Sequence, residues 1–484
     1  MNCTTRFGSR YAHLLHGIEE LQPLRLSPIM ATIRKSNKAA SVNPLKMSQP
    51  LGACYAFLGM DRCMPVMHGS QGCASLGLVL LGRHFKESIP IQTTALNEVT
   101  SILGGHENIE RAILNIRERA KPALIGICST GLTETRGDDV EGHLEIIRNL
   151  HPEIADTAIV PVSTPDYVGA FQDGWANAVL ALVRNLVRNT GTRNSRQVNI
   201  LPGCHLTAAD LEEITEICAA FGLSTIVLPN VSGSLDGHIA DEFSATTIGG
   251  TTLSEASSMG ASCVTLAIGE QMRASAAELE TLADVPYVVF DRLTGLEAND
   301  RFLAYLSWLT DMPVPARCRR QRSQLLDAML DGHFAFGGKK VAVAAEPDLL
   351  WALSNTLHEM GCAIECAVTT TESPLLANMP CTEVLIGDLE DLEHGATECD
   401  MLVTHSHGRQ AADRLNIPLY RAGLPSFDRI GAAHQLTVGY RGTRTLIFEI
   451  ANLFLSNTHS IHQTPATPTE AKAEVLAETS AHQQ

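Results

Sequence analysis

The chain has 484 residues, with 36 Lys and Arg against 53 Asp and Glu, a formal net charge of −17. At roughly 150 residues per domain this length corresponds to about three domains, and a hydrophobic content of 45% supplies sizeable cores. The acidic balance argues against nucleic acid as the main ligand, since that binding needs clustered Lys and Arg to displace counterions from phosphates. No run approaches the roughly 18 uninterrupted apolar residues of a membrane span; Leu76–Leu81 is too short and Leu446–Leu455 carries Glu449.

Only 18% of residues are charged, below the roughly 25% usual for soluble domains, which points to surface buried in permanent contacts between domains or subunits. Thirteen cysteines, an odd number without paired spacing, read as reduced thiols of a cytoplasmic protein. The first 29 residues hold Arg6, Arg10 and Arg25 but no apolar signal core, and Glu19-Glu20 argue against a targeting segment. Met30 is a second possible start, so residues 1–29 read as an extension or a mis-assigned start.

Short apolar runs alternating with helical patterns predict βαβ units around mainly parallel sheets. A first unit, residues 30–195, holds the loop Met67-His68-Gly69-Ser70-Gln71-Gly72-Cys73 ahead of an apolar helix. There the thiol sits where backbone N–H groups and the helix dipole favour negative charge, and the glycines let a bulky inorganic cluster approach the backbone. The strands Ala123–Cys128 and Thr157–Val162 follow. Between them, Asp138-Asp139 after Gly137 read as a cap for the helix Val140–Leu150 or, more sharply, as a paired-carboxylate site that Glu134 could join.

The polar stretch Asn189–Arg196 separates this from a second unit, residues 196–315, with strands at Val198–Leu201, Thr225–Leu228, Cys263–Ile268 and Tyr287–Phe290. Its first helix opens on the capping box Thr207-x-x-Asp210. Arg317, Arg319, Arg320 and Arg322 read as a solvated or ion-paired helix start, and the helical Gln321–Leu330 leads into a third unit; connection and unit span residues 316–457. Its strands are Lys340–Ala345, Ala363–Val368, Glu383–Ile386 and Met401–Thr404. His405-Ser406-His407 closes the last of these and reads as a metal-binding pair or a hydrogen-bonded loop pair. Residues 458–484, rich in Thr, Pro, Ala, Glu, His and Gln, are expected to be a disordered tail. G-x-G-x-x-G, the P-loop and G-x-S-x-G are all missing from the sequence, which removes the simplest nucleotide and hydrolase readings.

Five segments in order resemble the successive motifs of the nitrogenase component 1 superfamily: Ser48-Gln49-Pro50-Leu51-Gly52-Ala53, His68 to Cys73, Ser129 to Glu134 with Gly137-Asp138-Asp139, Thr164 to Gly169, and Arg421 to Arg429. The resemblance covers roughly residues 30–457 and implies three Rossmann-like doubly wound α/β domains. In the catalytic β-type subunit three cysteines of these motifs hold the P-cluster; here the matching positions are Ser48, Cys73 and Gly131. That pattern is similar to the β-like subunits of the scaffold on which the iron–molybdenum cofactor of nitrogenase is matured. A cubane iron–sulfur cluster needs about four ligands, so by resemblance Cys73 supplies one thiolate to a 4Fe-4S cluster whose other three come from a NifE-like partner in an α2β2 heterotetramer.

The resemblance further implies a precursor of the iron–molybdenum cofactor held mainly by the partner, NifB as its donor, the NifH iron protein as helper and the apo molybdenum–iron protein as acceptor. The chain would then be a scaffold subunit without catalytic residues of its own. His68, Gly69, Ser70, Gln71 and Gly72 form the cluster loop; Glu134, Asp138 and Asp139 lie in the interface motif without an assigned role. Cys54, Cys63 and Cys128 match no ligand position and read as core thiols, with Cys128 also open as a shifted ligand. His405 and His407 would face the third-domain cleft that holds the large cofactor in the α-type partner. Two other readings remain: a catalytic β-type subunit of a nitrogenase or a protochlorophyllide or chlorophyllide reductase, which share the fold, and a non-redox small-molecule binder of the periplasmic type.

Overall fold

In the computed structural model, residues 30–239 and 241–462 are described. The leader 1–29 and residues 463–484 of the expected tail lie outside them. The apolar runs become strands: Thr32–Lys35 (β1), Cys63–His68 (β2), Gln92–Thr93 (β3), Leu124–Ser129 (β4), Ala158–Val162 (β5), Asn194–Pro202 (β6), Ser224–Val227 (β7), Ser262–Ile268 (β8), Tyr287–Phe290 (β9), Lys340–Ala345 (β10), Ala363–Thr369 (β11), Glu383–Ile386 (β12), Met401–Thr404 (β13) and Leu419–Arg421 (β14). Those at the sheet centres are buried on both faces, as β2 and β4 are throughout, which is why they read as continuous apolar runs rather than alternating ones.

Three parallel sheets result, ordered β3-β2-β4-β5, β7-β6-β8-β9 and β1-β12-β11-β10-β13-β14. Each is doubly wound: the chain steps outward from a central first strand (β2, β6 or β10) and then returns to that strand's other side. The reversal lies between β2 and β4, β6 and β8, and β10 and β13, and ligands of such sheets sit beyond the strand ends at that point. One buried core runs through all three units, from Phe57 and Trp175 through Ile200 and Phe302 to Val343 and Phe454. Trp175 Nε1 donates to the Pro202 carbonyl at 2.9 Å, tying the first unit to the end of β6.

Two glycines set how the first unit packs. The helix Gln49–Leu58 crosses the helix Phe171–Leu186 so closely that a Cβ on Gly52 would lie 1.9 Å from the Phe171 carbonyl oxygen, and one on Gly174 equally close to that of Gln49. Where the units meet, a cavity of about 80 Å³ is lined by Tyr55 and Phe171 of the first, Cys204 and His205 of the second, and Glu346 and Tyr420 of the third.

The structure redraws three boundaries. β1, within the span assigned to the first unit, pairs with β12 at the edge of the third sheet, from Thr32 beside Glu383 to Lys35 beside Ile386. All four of its residues are exposed; an edge strand held through its backbone carries no burial pattern to read. Beyond it, Lys38 binds Asp388 at 2.8 Å and Leu45 enters the third unit's core. The polar stretch before the second unit already contains the start of β6. The last helix, Gly439–His462, continues past residue 457 into the segment expected to be disordered. The arginine-rich segment opens the helix Ala316–Phe336, with Arg317 on Glu216 and Arg322 on Asp300, both at 2.7 Å. Among the described residues no helix is long and apolar enough to cross a membrane.

Candidate functional site

β2 ends at His68, and the chain turns through Gly69 and Ser70 into the helix Gln71–Phe85, which places Cys73 in its first turn. Ser70 has the extended geometry of an N-cap but makes no side-chain cap bond, and the first turn contains no acidic residue. The positive helix end and its leading N–H groups are thus left for a ligand. Cys73 is exposed, with Sγ 3.5 Å from Ser70 Oγ. A Cβ on Gly72 would meet nothing nearer than Ser70 Oγ at 4.0 Å, so that side of the loop is open. At Gly69 the reverse holds: a Cβ would lie 2.7 Å from Thr130 Oγ1, closing the turn against the next loop.

His68 is fully buried beneath this loop. Its Nδ1 lies 2.9 Å from Thr94 Oγ1 and its Nε2 3.2 Å from Asp138 Oδ2. Burial, reinforced by the charge of Arg136 and by His143, lowers the imidazole pKa to about 4, so the ring is neutral near pH 7. Since a carboxylate can only accept, Nε2–H donates to Asp138 and Nδ1 accepts from the Thr94 hydroxyl. Arg136 Nε donates to the same carboxylate at 2.7 Å. The His68 carbonyl accepts from Thr130 and Thr133 hydroxyls at 3.0 and 3.3 Å, and the Gly69 carbonyl accepts from Thr93 Oγ1 at 3.1 Å.

β4 delivers the next loop. Ser129 Oγ donates to Glu134 Oε1 and accepts from the Thr164 N–H at 2.7 Å, while Thr164 Oγ1 donates to the Ser129 carbonyl, also at 2.7 Å. Ser163 Oγ reaches Glu134 Oε1 at 2.7 Å. Glu134 therefore ties the loop after β4 to the loop after β5. Asp139 accepts from the Gly142 N–H at 2.9 Å and caps the helix Val140–Leu150. Asp138 and Asp139 thus serve different partners rather than forming a paired-carboxylate centre. Ser48 caps the helix Gln49–Leu58 without a side-chain bond, and Gln49 Nε2 donates to the Val168 carbonyl at 2.8 Å, bringing the first motif against the fourth.

Apolar side chains are left uncovered beside these loops. Leu76 and Val79, on the helix that carries Cys73, are 62% and 52% exposed, and Leu132 on the helix Gly131–Arg136 and Tyr167 and Val168 on the loop after β5 are exposed as well. Among the described residues no group of three or more His, Cys, Asp or Glu is arranged to hold a metal ion. An exposed thiol at a helix start beside an open glycine has the chemistry that could hold one corner of an iron–sulfur cluster.

The other candidates fall elsewhere. Cys54, Cys63 and Cys128 are completely buried, Cys54 Sγ lies 3.7 Å from Cys128 Sγ, and burial pushes the thiols of Cys63 and Cys128 well up. The Cys128 thiol faces the core, not the loop. His405 is buried, its Nε2 3.3 Å from the Leu45 carbonyl oxygen and its Nδ1 accepting from the His407 N–H at 3.3 Å; burial and His407 lower its pKa to about 4. Neither His405 nor His407 lines the cavity between the units. The fifth motif closes the opposite end of the Cys73 helix: Ser426 N–H donates to His84 Nδ1 at 3.0 Å, Lys86 Nζ to the Phe427 carbonyl at 3.1 Å, and Arg83 lies 4.2 Å above the Phe427 ring. At 1.5 Å per residue that end is about 20 Å from the cysteine.

Sequence reading missed the supporting residues Thr93, Thr94, Arg136 and Ser163. Thr93, Thr94 and Ser163 bond residues 24, 26 and 29 positions away, and Arg136 bonds Asp138 and the Thr100 carbonyl; periodicity carries no trace of such bonds.

The sequence profile of the family described as "Nitrogenase component 1 type Oxidoreductase" matches residues 48–455. The chain is 57% identical over 433 residues, 88% of its own length and 92% of the relative's, to the nitrogenase iron-molybdenum cofactor biosynthesis protein NifN of Bradyrhizobium diazoefficiens. It is 51% identical over 426 residues to the NifN protein of a Nostoc species, covering 88% of this chain and 96% of that one. A solved chain of nitrogenase Cp1 at pH 6.5 superposes with a TM-score of 0.84 at 33% identity, over 90% of this chain and 96% of that one. A chain of nitrogenase Cp1 at pH 5, 14% identical with a TM-score of 0.65 over 89% of this chain and 92% of that one, shares the fold.

Proposed function

The chain belongs to the nitrogenase component 1 family, in its NifN branch, and from that premise we propose that it is the β-like subunit of a scaffold on which the iron–molybdenum cofactor is matured. Its partner is a NifE-like subunit, associated as an α2β2 heterotetramer in the cytoplasm. Cys73 supplies one thiolate to a 4Fe-4S cluster at the subunit interface and the partner supplies the other three. The cluster stores and passes electrons when bound.

The observation that carries this reading is the thiol of Cys73, the one classed as exposed among the described residues, at an uncapped helix start on the same helix as the uncovered Leu76 and Val79. The positions that would add thiolates in a catalytic β-type subunit hold Ser48 and Gly131, which disfavours a P-cluster. His68, neutral and fixed between Thr94 and Asp138, holds the loop that presents Cys73. Glu134 holds the adjoining loops together. The precursor comes from NifB, sits mainly on the partner, is completed with the help of NifH, and passes to the apo molybdenum–iron protein.

Anaerobic co-expression with the partner, NifB and NifH tests the assignment. The expected product is a brown heteromeric complex containing iron and acid-labile sulfide that activates apo molybdenum–iron protein. A colourless monomer would contradict the scaffold reading, and substrate reduction by the complex itself with its reductase would assign it to the reductases instead.

A further inference from the structure

The loops that surround Cys73 contain one unexplained close approach. Gly131 opens the helix Gly131–Arg136, and a Cβ built on it would lie 1.9 Å from Oδ1 of Asp166 and 2.9 Å from its Cγ. The space into which any side chain at 131 would project is therefore already taken by a carboxylate from the loop after β5.

The backbone that carries Asp166 is fastened on both sides. Two residues earlier, Thr164 is completely buried and fastened to Ser129 by two hydrogen bonds of 2.7 Å. Pro165 fixes φ between the two. On the far side, Gln49 holds the Val168 carbonyl at 2.8 Å, and Gly169 takes a positive φ of 60° beside the Gln49 and Asp173 side chains. The backbone of Asp166 is thus held beside Gly131 from both directions.

We infer that Asp166 limits the shared site to a single cubane. It does so in two ways. Its side chain fills the volume that a ligand from position 131 needs. Its carboxylate also adds negative charge beside position 131, and thiolate-ligated iron–sulfur clusters are themselves anionic, so the like charges repel. Gly131 and Asp166 consequently act as a pair: restoring a thiol at 131 without removing the carboxylate does not restore a ligand. The inference rests on the reading of Cys73 as a cluster ligand.

The test uses the complex with the NifE-like partner, purified anaerobically from cells without NifB, so that its iron reports the interfacial site. Wild type is compared with Asp166→Ala, with Ser48→Cys/Gly131→Cys, and with the triple variant, each after incubation with ferrous iron and sulfide under reducing conditions. Iron, acid-labile sulfide and paramagnetic resonance are measured on complexes that co-elute with the partner and melt cooperatively. Wild type, the single and the double variant should bind the same iron, and the triple variant roughly twice as much. Equal uptake by the double and triple variants, a folded triple variant at the wild-type level, or loss of iron from Asp166→Ala alone would each overturn the role of Asp166. Absence of iron from wild type would instead overturn the cluster-ligand reading itself, and this inference with it.

Discussion

His68 fixes the loop that carries Cys73 through its ring and its carbonyl alike. Its ring accepts from Thr94 and donates to Asp138, and its carbonyl receives two threonine hydroxyls. Replacing it with Leu strands the Asp138 carboxylate on Arg136 alone and leaves the Thr94 hydroxyl without its acceptor. Unsatisfied buried polar groups cost about 1–3 kcal/mol each, so His68→Leu should lower unfolding stability by about 2–4 kcal/mol in a denaturant titration. His68→Gln, which can still donate and accept, should lose less. Equal losses in both would mean that the ring contributes by packing rather than by its two bonds.

At the residue scale the sequence exposed Cys73 but not the side chains that hold its loop. Cys73 was legible because a glycine-flanked loop and a helix start are local features. The links from Thr94, Ser163 and Asp166 join residues tens of positions apart through single side chains, and nothing in hydropathy or spacing records them.

At the scale of elements, the strands Tyr287–Phe290, Lys340–Ala345, Glu383–Ile386 and Met401–Thr404 form over the residues expected from the sequence, as does the capping box of Thr207 and Asp210. These signals are local or enforced by burial on both faces. β1 escaped notice because an exposed edge strand needs only its backbone, and it then joins a sheet whose other strands lie some 300 residues further on. The close crossing of the helices Gln49–Leu58 and Phe171–Leu186 was also hidden, although Gly52 lies within a motif. With the Gly52 Cβ position 1.9 Å from a backbone oxygen, relief cannot come from a side-chain rotation. Gly52→Ala should therefore destabilise the chain by about 1–3 kcal/mol, the range for overpacking, and shift the Ser48 end of the first motif relative to Cys73. A melting temperature unchanged from wild type would show that the two helices separate freely.

For the whole molecule, buried ionisable groups set the pH range of stability. Burial lowers the pKa values of His68, His84, His205 and His405 to about 4. Their neutral forms favour the fold above about pH 6.5, and that contribution is lost as pH falls through 6.5 towards 4, because the unfolded chain then binds more protons. Glu346, in the cavity where the units meet, runs the other way: burial pushes its carboxyl up to about 8. Its contribution is complete below about pH 4.5 and is lost as pH rises to about 8. Stability should peak near pH 6.5 and decline from there to pH 8. Glu346→Gln keeps an acceptor for the Thr370 hydroxyl, 2.8 Å away in wild type, and should flatten that decline in melting curves; an unaltered slope would remove Glu346 as its source.

The proposed function has this chain, with its exposed Cys73 thiol and the exposed Leu76 and Val79 on the same helix, completed by another subunit. The most direct test of that claim compares the wild-type and Cys73→Ala complexes, co-expressed with the NifE-like partner without NifB and purified anaerobically, by iron analysis and paramagnetic resonance. The expected result is an intact, cooperatively melting complex that has lost about four iron atoms per interface, one cubane, together with the interfacial resonance signal. Unchanged iron content and an unchanged signal in Cys73→Ala would contradict the account.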